Sequence, residues 1–331
     1  MMLFLSESDI KTAIDMKRTI DALETAFRLH SEGKTKTPVR THLDLDAVNG
    51  IGLFMPSWVE PIKAMGIKTV TVYHDNPQKN LPMIQGTVQL FDGETGTPIS
   101  VMEASYVTKL RTGASSGVAT RQLAPSDASR AAIIGTGAQA YMQLWAVLTA
   151  APGIKEYRIF DIDRDKAEAF KGQLEKDFTG VRFEVASSAA EAVKEAQVIT
   201  TCTTSKKPVF SYSDLGEKEV HVNAVGAFTP QMQEIDAEVM LKADKLYVDD
   251  FEGALAESGD LIIPIGEGKL RKEDITGEIG EVLLERKSGR EKGDGLTVYE
   301  TVGMGSLDVV AARAIYDSAL NNKVGTELSL E

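Results

Sequence analysis

The sequence predicts an α/β protein in which a doubly wound parallel sheet is inserted into an α+β domain that has an open antiparallel sheet. The first observation is residues 131–140, AAIIGTGAQA, where an apolar strand leads into a glycine turn. The second is the alternation of strand-like and helix-like segments between residues 131 and 249. The third is a run of strand-like segments without helices between residues 52 and 102. Alternation indicates parallel crossovers, whereas the helix-free run indicates an antiparallel meander.

The glycine turn has the features of a nucleotide-binding crossover. Gly135 permits a tight turn, Gly137 lets the backbone approach a pyrophosphate, and Ala140 lets the following helix pack closely on the strand. The amides at the start of that helix offer hydrogen-bond donors to an anion. Taken alone, the same pattern also fits an ordinary strand, turn and helix.

An acidic residue favours the cofactor interpretation. Asp161 ends the strand-like segment 157–161 (YRIFD), 24 positions after Gly137. In a dinucleotide-binding fold, a carboxylate at this place accepts hydrogen bonds from the adenosine ribose and repels a 2′-phosphate. We therefore expect NAD(H) rather than NADP(H), with nearby Arg164 softening the preference. In the alternative interpretation, Asp161 only caps the next helix.

Length and composition exclude several classes of protein. The 331 residues are enough for about two domains. The net charge of −13, with no basic block, disfavours nucleic-acid binding. Cys202 is the only cysteine, so no intrachain disulfide is expected, which fits a reducing compartment. Because the N-terminus lacks a signal-peptide pattern and no apolar run is long enough to span a membrane, we expect a cytoplasmic protein with no membrane partner.

In chain order, SESD at residues 6–9 predicts the cap of a first helix, and residues 16–30 predict a second helix. An extended stretch follows Thr37 and Pro38. Strands are then expected at 52–58, 64–73, 84–92 and 97–102. Residues 103–123 read as a helix rich in Ala, Gly, Ser and Thr, which predicts close packing against another backbone.

The second half of the chain contains the parallel sheet. Strands are expected at 131–135, 156–161, 181–186, 197–202, 219–225 and 245–249, and helices at 138–150, 163–178, 187–195 and 236–243. After Asp250 the alternation fades, and a helix, a strand and a helix are expected at 278–286, 296–301 and 305–319. We predict one discontinuous domain, residues 1–122 and 305–331, interrupted by an NAD-binding domain, residues 123–304.

Lys68 is the most informative polar residue outside the predicted nucleotide domain. It shares one face of its strand with Val70 and Val72. A lysine among apolar neighbours can point into a pocket, where burial lowers its pKa and suits it to proton transfer. The alternative, a lysine that protects an edge strand from aggregation, fits the pattern equally well.

Arg111 lies within KLRTGASSG, among residues that have almost no side chain. A guanidinium there has room to hold a carboxylate through two parallel hydrogen bonds. A surface arginine in an ion pair fits the sequence as well. Arg40 is a similar but weaker candidate.

No metal site is expected. The histidines show no metal-ligand spacing; they are His30, His42, His74 and His221. Cys202 has no obvious base beside it, so we interpret it as a small buried residue rather than a nucleophile.

Several short segments together are more specific than the glycine turn. They are MPS at 55–57, GIK at 66–68, RTGA at 111–114, GTGAQA at 135–140, NAVG at 223–226, ESGD at 257–260 and VGM at 302–304. In order and in spacing they resemble the ornithine cyclodeaminase/mu-crystallin family, over nearly the whole chain. The resemblance implies a homodimer whose subunits have an open-sheet domain for substrate binding and dimerisation and an inserted Rossmann domain.

The resemblance also implies roles for individual residues. It makes Lys68 and Arg111 the catalytic pair. It implies contacts with an amino-acid or imino-acid substrate at Arg40, Lys68, Arg111, Phe228 and Met304. It implies contacts with the dinucleotide at Thr112, Gly135, Gly137, Ala138, Gln139, Asp161, Thr203, Val225, Gly226 and Thr301.

One departure from the family pattern bears on function. Ornithine cyclodeaminases carry an aspartate, an acid/base, two residues after the NAVG glycine, and here Phe228 stands at that position. The resemblance then implies a reductase of small cyclic ketimine acids that gives L-proline or L-pipecolate. Alternatives are an ornithine cyclodeaminase, an alanine or opine dehydrogenase, and a non-catalytic binding protein like mu-crystallin.

Overall fold

The computed structural model describes residues 1–216 and 219–329 and divides into two compact units. The first unit contains Met1–Arg111 and the chain from Met304 onward. The second unit contains Thr112–Gly303.

The strands are numbered along the chain. They are β1 (Met2–Leu5), β2 (Thr35–Lys36), β3 (Thr41–Leu45), β4 (Gly50–Val59), β5 (Ala64–Tyr73), β6 (Ile84–Asp92), β7 (Pro98–Glu103), β8 (Arg130–Ile134), β9 (Glu156–Phe160), β10 (Arg182–Val185), β11 (Val198–Thr201), β12 (Lys206–Phe210), β13 (Val220–Ala224), β14 (Gln233–Ile235), β15 (Lys245–Val248), β16 (Gly277–Glu278), β17 (Leu296–Glu300) and β18 (Thr326–Leu328).

The α-helices are numbered in the same way. They are α1 (Glu7–Ala13), α2 (Met16–Ser31), α3 (Ala104–Leu123), α4 (Ala140–Ala150), α5 (Arg164–Asp177), α6 (Ala189–Val193), α7 (Ala237–Leu241), α8 (Phe251–Glu257), α9 (Gly259–Gly266), α10 (Ile279–Leu283) and α11 (Gly305–Asn322).

The first unit is an open sheet with the order β18-β1-β7-β6-β5-β4-β2, and β3 pairs with β4. Its pairings are antiparallel except that of β1 with β7. The chain enters α1 through the predicted cap, since the Ser6 hydroxyl accepts from the Asp9 amide and the Asp9 carboxylate accepts from the Ser6 amide. Helix α11 packs on β4, β5 and β6 and against α2, so the apolar faces of both helices are buried.

The second unit contains a fully parallel sheet with the order β10-β9-β8-β11-β13-β17-β15-β16. Alternate residues of β8 enter opposite cores: Ala131 and Ile133 pack with α4 and α5, whereas Ala132 and Ile134 pack with α6 and α7. Helices on both faces make this a doubly wound fold, and the predicted fold class is confirmed. Although β17 is the last strand of this sheet in chain order, it lies between β13 and β15.

The small residues of α3 allow the predicted close approach to another backbone. A Cβ added at Gly113 would collide with the carbonyl oxygen of Met142 on α4. Across the described ranges, no helix is both long enough and apolar enough to cross a bilayer.

Candidate functional site

The predicted cofactor residues of the second unit lie at the ends of five adjacent parallel strands. The chain order reverses between β8 and β11, and ligands of doubly wound sheets bind at the carboxyl edge beside such a reversal. The residues that follow β9, β8, β11, β13 and β17 at this edge are Asp161, Gly135–Gln139, Thr203, Val225–Gly226 and Thr301.

The glycine turn after β8 fits a dinucleotide. Gly135 has a φ of +96°, and a Cβ there would lie 2.8 Å from Thr203 Cγ2 and 2.9 Å from the Cys202 carbonyl oxygen. A Cβ at Gly137 would meet nothing within 4 Å, so the space above this backbone is open. Within the described chain, the amides of Ala138 and Gln139 have no acceptor, which leaves two donors for a pyrophosphate at the start of α4.

Asp161 is held in place by Thr136, which is not among the residues predicted from the sequence. Thr136 donates to Asp161 Oδ2 from both its amide and its hydroxyl, each at 2.8 Å, and the Asp163 amide donates to Oδ1 at 2.9 Å. Partial burial raises the pKa of Asp161, but these hydrogen bonds outweigh that effect and the net pKa lies below the ordinary value. The carboxylate is therefore ionised, and the helix cap at α5 comes from Asp163. The alternative role of Asp161 as that cap is wrong.

Two further buried carboxylates organise the same edge, and neither is predicted from the sequence. Glu234 accepts from the amides of Thr203 and Gly226. Asp249 accepts from the Thr301 hydroxyl at 2.7 Å and from the Gly303 amide at 2.6 Å. The Thr301 hydroxyl thus donates to Asp249, and its oxygen remains an acceptor for a ligand.

The other residues predicted to contact the substrate or the cofactor differ in how exposed they are. Phe228 is 48% exposed, so it is available to a ligand. Thr112 is buried on α3 of the second unit, and Met304 is buried at the start of α11 in the first unit. Their predicted contacts with ligands remain predictions.

Lys68 lies at the centre of the sheet in the first unit. It is on β5, between β4 and β6, and its register neighbours are Met55 and Val88. Only 3% of the residue is exposed. The alternative interpretation as an edge-strand lysine is therefore wrong, and Lys68 is a buried amine on the face that α11 covers.

A buried carboxylate joins the two predicted catalytic cations. Asp308 on α11 has no exposed surface. Its Oδ2 lies 2.8 Å from Lys68 Nζ, and its Oδ1 accepts from Arg111 Nε at 2.9 Å. Burial raises the pKa of Asp308, but the charges of Arg111 and Lys68 outweigh this effect and bring the net pKa below its ordinary value. The sequence carried one signal for it, since Asp308 is the only charged residue in 302–312.

The protonation of Lys68 is set by this cluster. Burial lowers the pKa of Lys68 to about 7, because the protein interior disfavours the ammonium form. Asp308 acts against that shift, whereas Arg111 and Arg40 add to it. Arg40, on the segment before β3, is therefore close enough for its charge to affect both Lys68 and Asp308. An amine with a pKa near neutrality can both donate and regain a proton.

Arg111 keeps part of its guanidinium available. It is buried on α3, and its Nε is paired with Asp308. In the part of the chain that the structure describes, its Nη1 and Nη2 have no acceptor. The alternative of a surface arginine is wrong, because Arg111 is buried and its ion pair with Asp308 is internal. One edge of the planar group is fixed by that pair, and the rest can bind an anion, as the carboxylate-clamp prediction requires.

Comparisons with known proteins agree with this architecture. The model of the ornithine cyclodeaminase/mu-crystallin family matches residues 1–323. The Δ1-pyrroline-2-carboxylate reductase of Bacillus cereus is 38% identical over 327 residues, which cover 99% of each chain.

Solved structures are similar over the same length. The Thermococcus litoralis Δ1-pyrroline-2-carboxylate reductase in complex with NADH and L-proline has a TM-score of 0.93 at 38% identity, with 99% of this chain and 100% of that chain covered. An archaeal alanine dehydrogenase dimer with bound NAD has a TM-score of 0.91 at 34% identity, with 100% and 99% covered. The resemblance inferred from the sequence segments is thereby confirmed, and the chain belongs to the ornithine cyclodeaminase/mu-crystallin family.

Proposed function

We propose that this chain is an NADH-dependent reductase of small cyclic ketimine acids. It converts Δ1-pyrroline-2-carboxylate or Δ1-piperideine-2-carboxylate to L-proline or L-pipecolate, and each turnover uses one imine, one NADH and one proton. The observation that carries the proposal is the buried Lys68–Asp308–Arg111 cluster, which combines a proton donor with a carboxylate-binding group. The full-length similarity to Δ1-pyrroline-2-carboxylate reductases supports this substrate class.

The two cations have different roles in the proposed reaction. Arg111 binds the substrate carboxylate through its terminal nitrogens, with Arg40 adding positive charge, and so orients the imine. Lys68 gives its proton to the imine nitrogen, directly or through water, so that negative charge does not accumulate there. NADH supplies the hydride when bound.

The test is a panel of imino acids and amino acids followed by NADH absorbance. We expect oxidation of NADH with the cyclic ketimines at a much higher kcat/KM than with pyruvate and ammonia. The opposite order would favour an alanine dehydrogenase, which one similar structure represents. Calorimetric binding of a ketimine without consumption of NADH would favour a binding protein.

Cofactor preference gives a separate prediction. Asp161→Ser removes an ionised carboxylate from the place that faces the adenosine ribose in dinucleotide-binding folds. Because hydrogen bonds to charged groups contribute about 1.5–3 kcal/mol, the ratio of kcat/KM for NADH to that for NADPH should fall by about 10-fold to 100-fold. Asp165→Ser is the matched control, since it removes an exposed carboxylate from the first turn of α5 and should leave the ratio unchanged. A native preference for NADPH would contradict the prediction.

Because Phe228 stands at the position of the family's acid/base aspartate, we predict that this protein does not cyclise ornithine. A phenyl ring cannot transfer a proton, and positioned proton transfer contributes about 10²–10⁴-fold to a rate. We expect no ammonia release from L-ornithine in the presence of catalytic NAD, whereas cyclic ketimines are reduced by the same preparation. Robust ammonia release would show that another residue replaces the family's aspartate, and the proposed function would then be wrong.

We also propose a homodimer that forms through one end of the sheet in the first unit. Large apolar side chains are exposed on β3 and β6 and on the segments that precede them: Val39 and Leu43 at 51%, Leu81 at 50% and Ile84 at 47%. Exposed apolar side chains of this size suit an interface between subunits, and the similar alanine dehydrogenase is a dimer. Light scattering should give twice the mass of 35.8 kDa, and Leu43→Asp should shift the protein toward the monomer. A monomeric wild-type protein at micromolar concentration would disprove the dimer.

We propose the cytoplasm as the location of the protein. The basis is chemical: the chain has one cysteine, Cys202, and it is free. A protein without disulfides suits a reducing compartment.

A further inference from the structure

The carboxylate of Glu234 connects two loops of the second unit. Its side chain is completely buried. Oε1 accepts from the Thr203 amide at 2.5 Å, and Oε2 accepts from the Gly226 amide at 2.6 Å. Thr203 follows β11 and Gly226 follows β13, and these strands are neighbours in the parallel sheet. One side chain therefore bridges the ends of two adjacent strands.

The bridge explains why residue 226 is a glycine. Gly226 does not have a positive φ, so the backbone conformation does not require glycine. A Cβ at this position would instead collide with Glu234 Oε2 and with the Thr203 carbonyl oxygen. The glycine of the NAVG segment is needed because the carboxylate occupies the space beside it.

Glu234 is itself held by a second carboxyl group. The amides of Glu234 and Ile235 donate to Asp260 Oδ1 at 2.7 and 2.8 Å. Among the described residues, Asp260 Oδ2 has no hydrogen-bond partner. Asp260 therefore holds Glu234 through one acceptor oxygen, Oδ1. The oxygen of an asparagine side chain could accept the same two hydrogen bonds.

We propose that Glu234 is a positioning residue for dinucleotide binding, which fixes the separation of the Thr203 and Gly226 loops before the cofactor arrives. The inference rests on the proposed function and on the predicted contacts of Thr203 and Gly226 with the cofactor. Loops that are already ordered lose little conformational entropy on binding, so the bridge increases affinity without touching the ligand. Because both amides are bound to Glu234, these loops contact the cofactor through their other groups.

The experiment compares Glu234→Gln with Asp260→Asn in the full-length protein, by fluorescence titration of NADH without substrate. In Glu234→Gln, the side-chain NH₂ faces a backbone N–H whichever way the amide is turned, so one of the two loops is released. The dissociation constant for NADH should rise by about 10-fold to 100-fold, since the lost hydrogen bond is to a charged group. Asp260→Asn removes a carboxyl group from the same buried region but keeps the Oδ1 acceptor, and it should change the constant by less than about twofold.

The titrations are made at mildly alkaline pH. Burial raises the pKa of Glu234 to about 7, and the amides of Thr203 and Gly226 oppose this shift, so the group is ionised there. The titratable groups that face it are Asp260 on α9, Glu300 on β17 and the Cys202 thiol after β11. In the wild-type protein, NADH affinity should fall as Glu234 is protonated at lower pH, because a protonated oxygen no longer accepts from its amide. This fall should be absent in Glu234→Gln and present in Asp260→Asn.

Wild-type affinity in Glu234→Gln, or equal weakening in both variants, would overturn the proposal. If Glu234→Gln fails to fold, hydrogen exchange of the wild-type protein gives the second measurement. The Thr203 and Gly226 amides should exchange slowly without cofactor, and rapid exchange until NADH is added would also overturn it. These measurements use no imine, so their outcome does not depend on the substrate panel. A negative substrate panel would not contradict the role of Glu234, and a negative result for Glu234 would not contradict the proposed substrate class.

Discussion

Replacing Lys68 by methionine is expected to lower kcat for ketimine reduction by about 10²–10⁴-fold. Methionine fills a similar volume on β5 but has no proton to give. NADH binding should be unchanged, because Lys68 belongs to the first unit and the predicted dinucleotide residues, from Thr112 to Thr301, belong to the second. The measurement is kcat and KM on Δ1-pyrroline-2-carboxylate across pH.

The pH profile distinguishes proton donation from a structural role. The donor form of Lys68 is the ammonium, and burial lowers the pKa of this residue to about 7. For the wild-type enzyme, kcat/KM should therefore decrease as pH rises above about 7, since this parameter reports the free enzyme. Lys68→Met should lose the inflection near pH 7 and recover part of its kcat at low pH, where solvent protonates the imine. A near-native kcat of Lys68→Met at neutral pH would mean that Lys68 only balances charge and does not donate the proton.

Arg111→Lys is the matched comparison, since it keeps the positive charge beside Asp308. An ammonium cannot reproduce two parallel hydrogen bonds to a carboxylate, so KM should rise by about 10-fold to 100-fold while kcat changes less. Similar kinetic changes in both variants would mean that the two cations do not have separate roles.

Replacing Asp308 by alanine is expected to destabilise the protein by about 3–5 kcal/mol, which is the usual effect of leaving buried charges without a partner. Lys68 and Arg111 would then lie together with no carboxylate between them. The pKa of Lys68 should fall further, because Asp308 is the group that raises it. Denaturant unfolding measures the stability loss, and the kcat/KM profile should shift to lower pH.

Asp317→Ala is the control for this experiment. Asp317 lies on the same helix, α11, but is half-exposed, and its ion pair is with Arg313 at 2.9 Å. Exposed pairs of this kind contribute little to stability. Equal stability losses in the two variants would contradict the assigned role of Asp308.

The pKa of Asp308 also predicts how stability depends on pH. Because the pKa of Asp308 is lower in the folded protein than its ordinary value of 3.8, the ionised carboxylate stabilises the fold above pH 3.8. This contribution to the free energy of unfolding is lost as pH falls through the folded-state pKa.

The fold and the cofactor turn were predictable because their signals are local. Strand–helix alternation after residue 131, the small residues before Ala140 and the apolar spacing of α11 depend only on neighbours in the chain. The position of β17 was not predictable in this way. Its residues read as a strand, but its place between β13 and β15 depends on pairings with segments far away in sequence.

The site was predicted only in part, and the residues that were not predicted lie far in sequence from the residues they contact. Lys68 and Arg111 were found from unusual neighbours in sequence, but their common partner was not. Asp308 is 197 positions from Arg111, and Glu234 is 31 positions from Thr203. An acidic residue on a helix or a short strand is ordinarily solvated, so its type alone does not indicate burial.

The fold class, the nucleotide-binding turn, the family and the residue types available for catalysis all follow from the sequence. That Lys68 is buried rather than on an edge strand, and that Arg111 and Lys68 share Asp308, follows from the three-dimensional packing. The physical reason is that a pKa, an ion pair or a bridge between loops depends on which groups meet when water is excluded. These contacts depend on packing between segments that are distant in the chain, so local sequence patterns do not predict them.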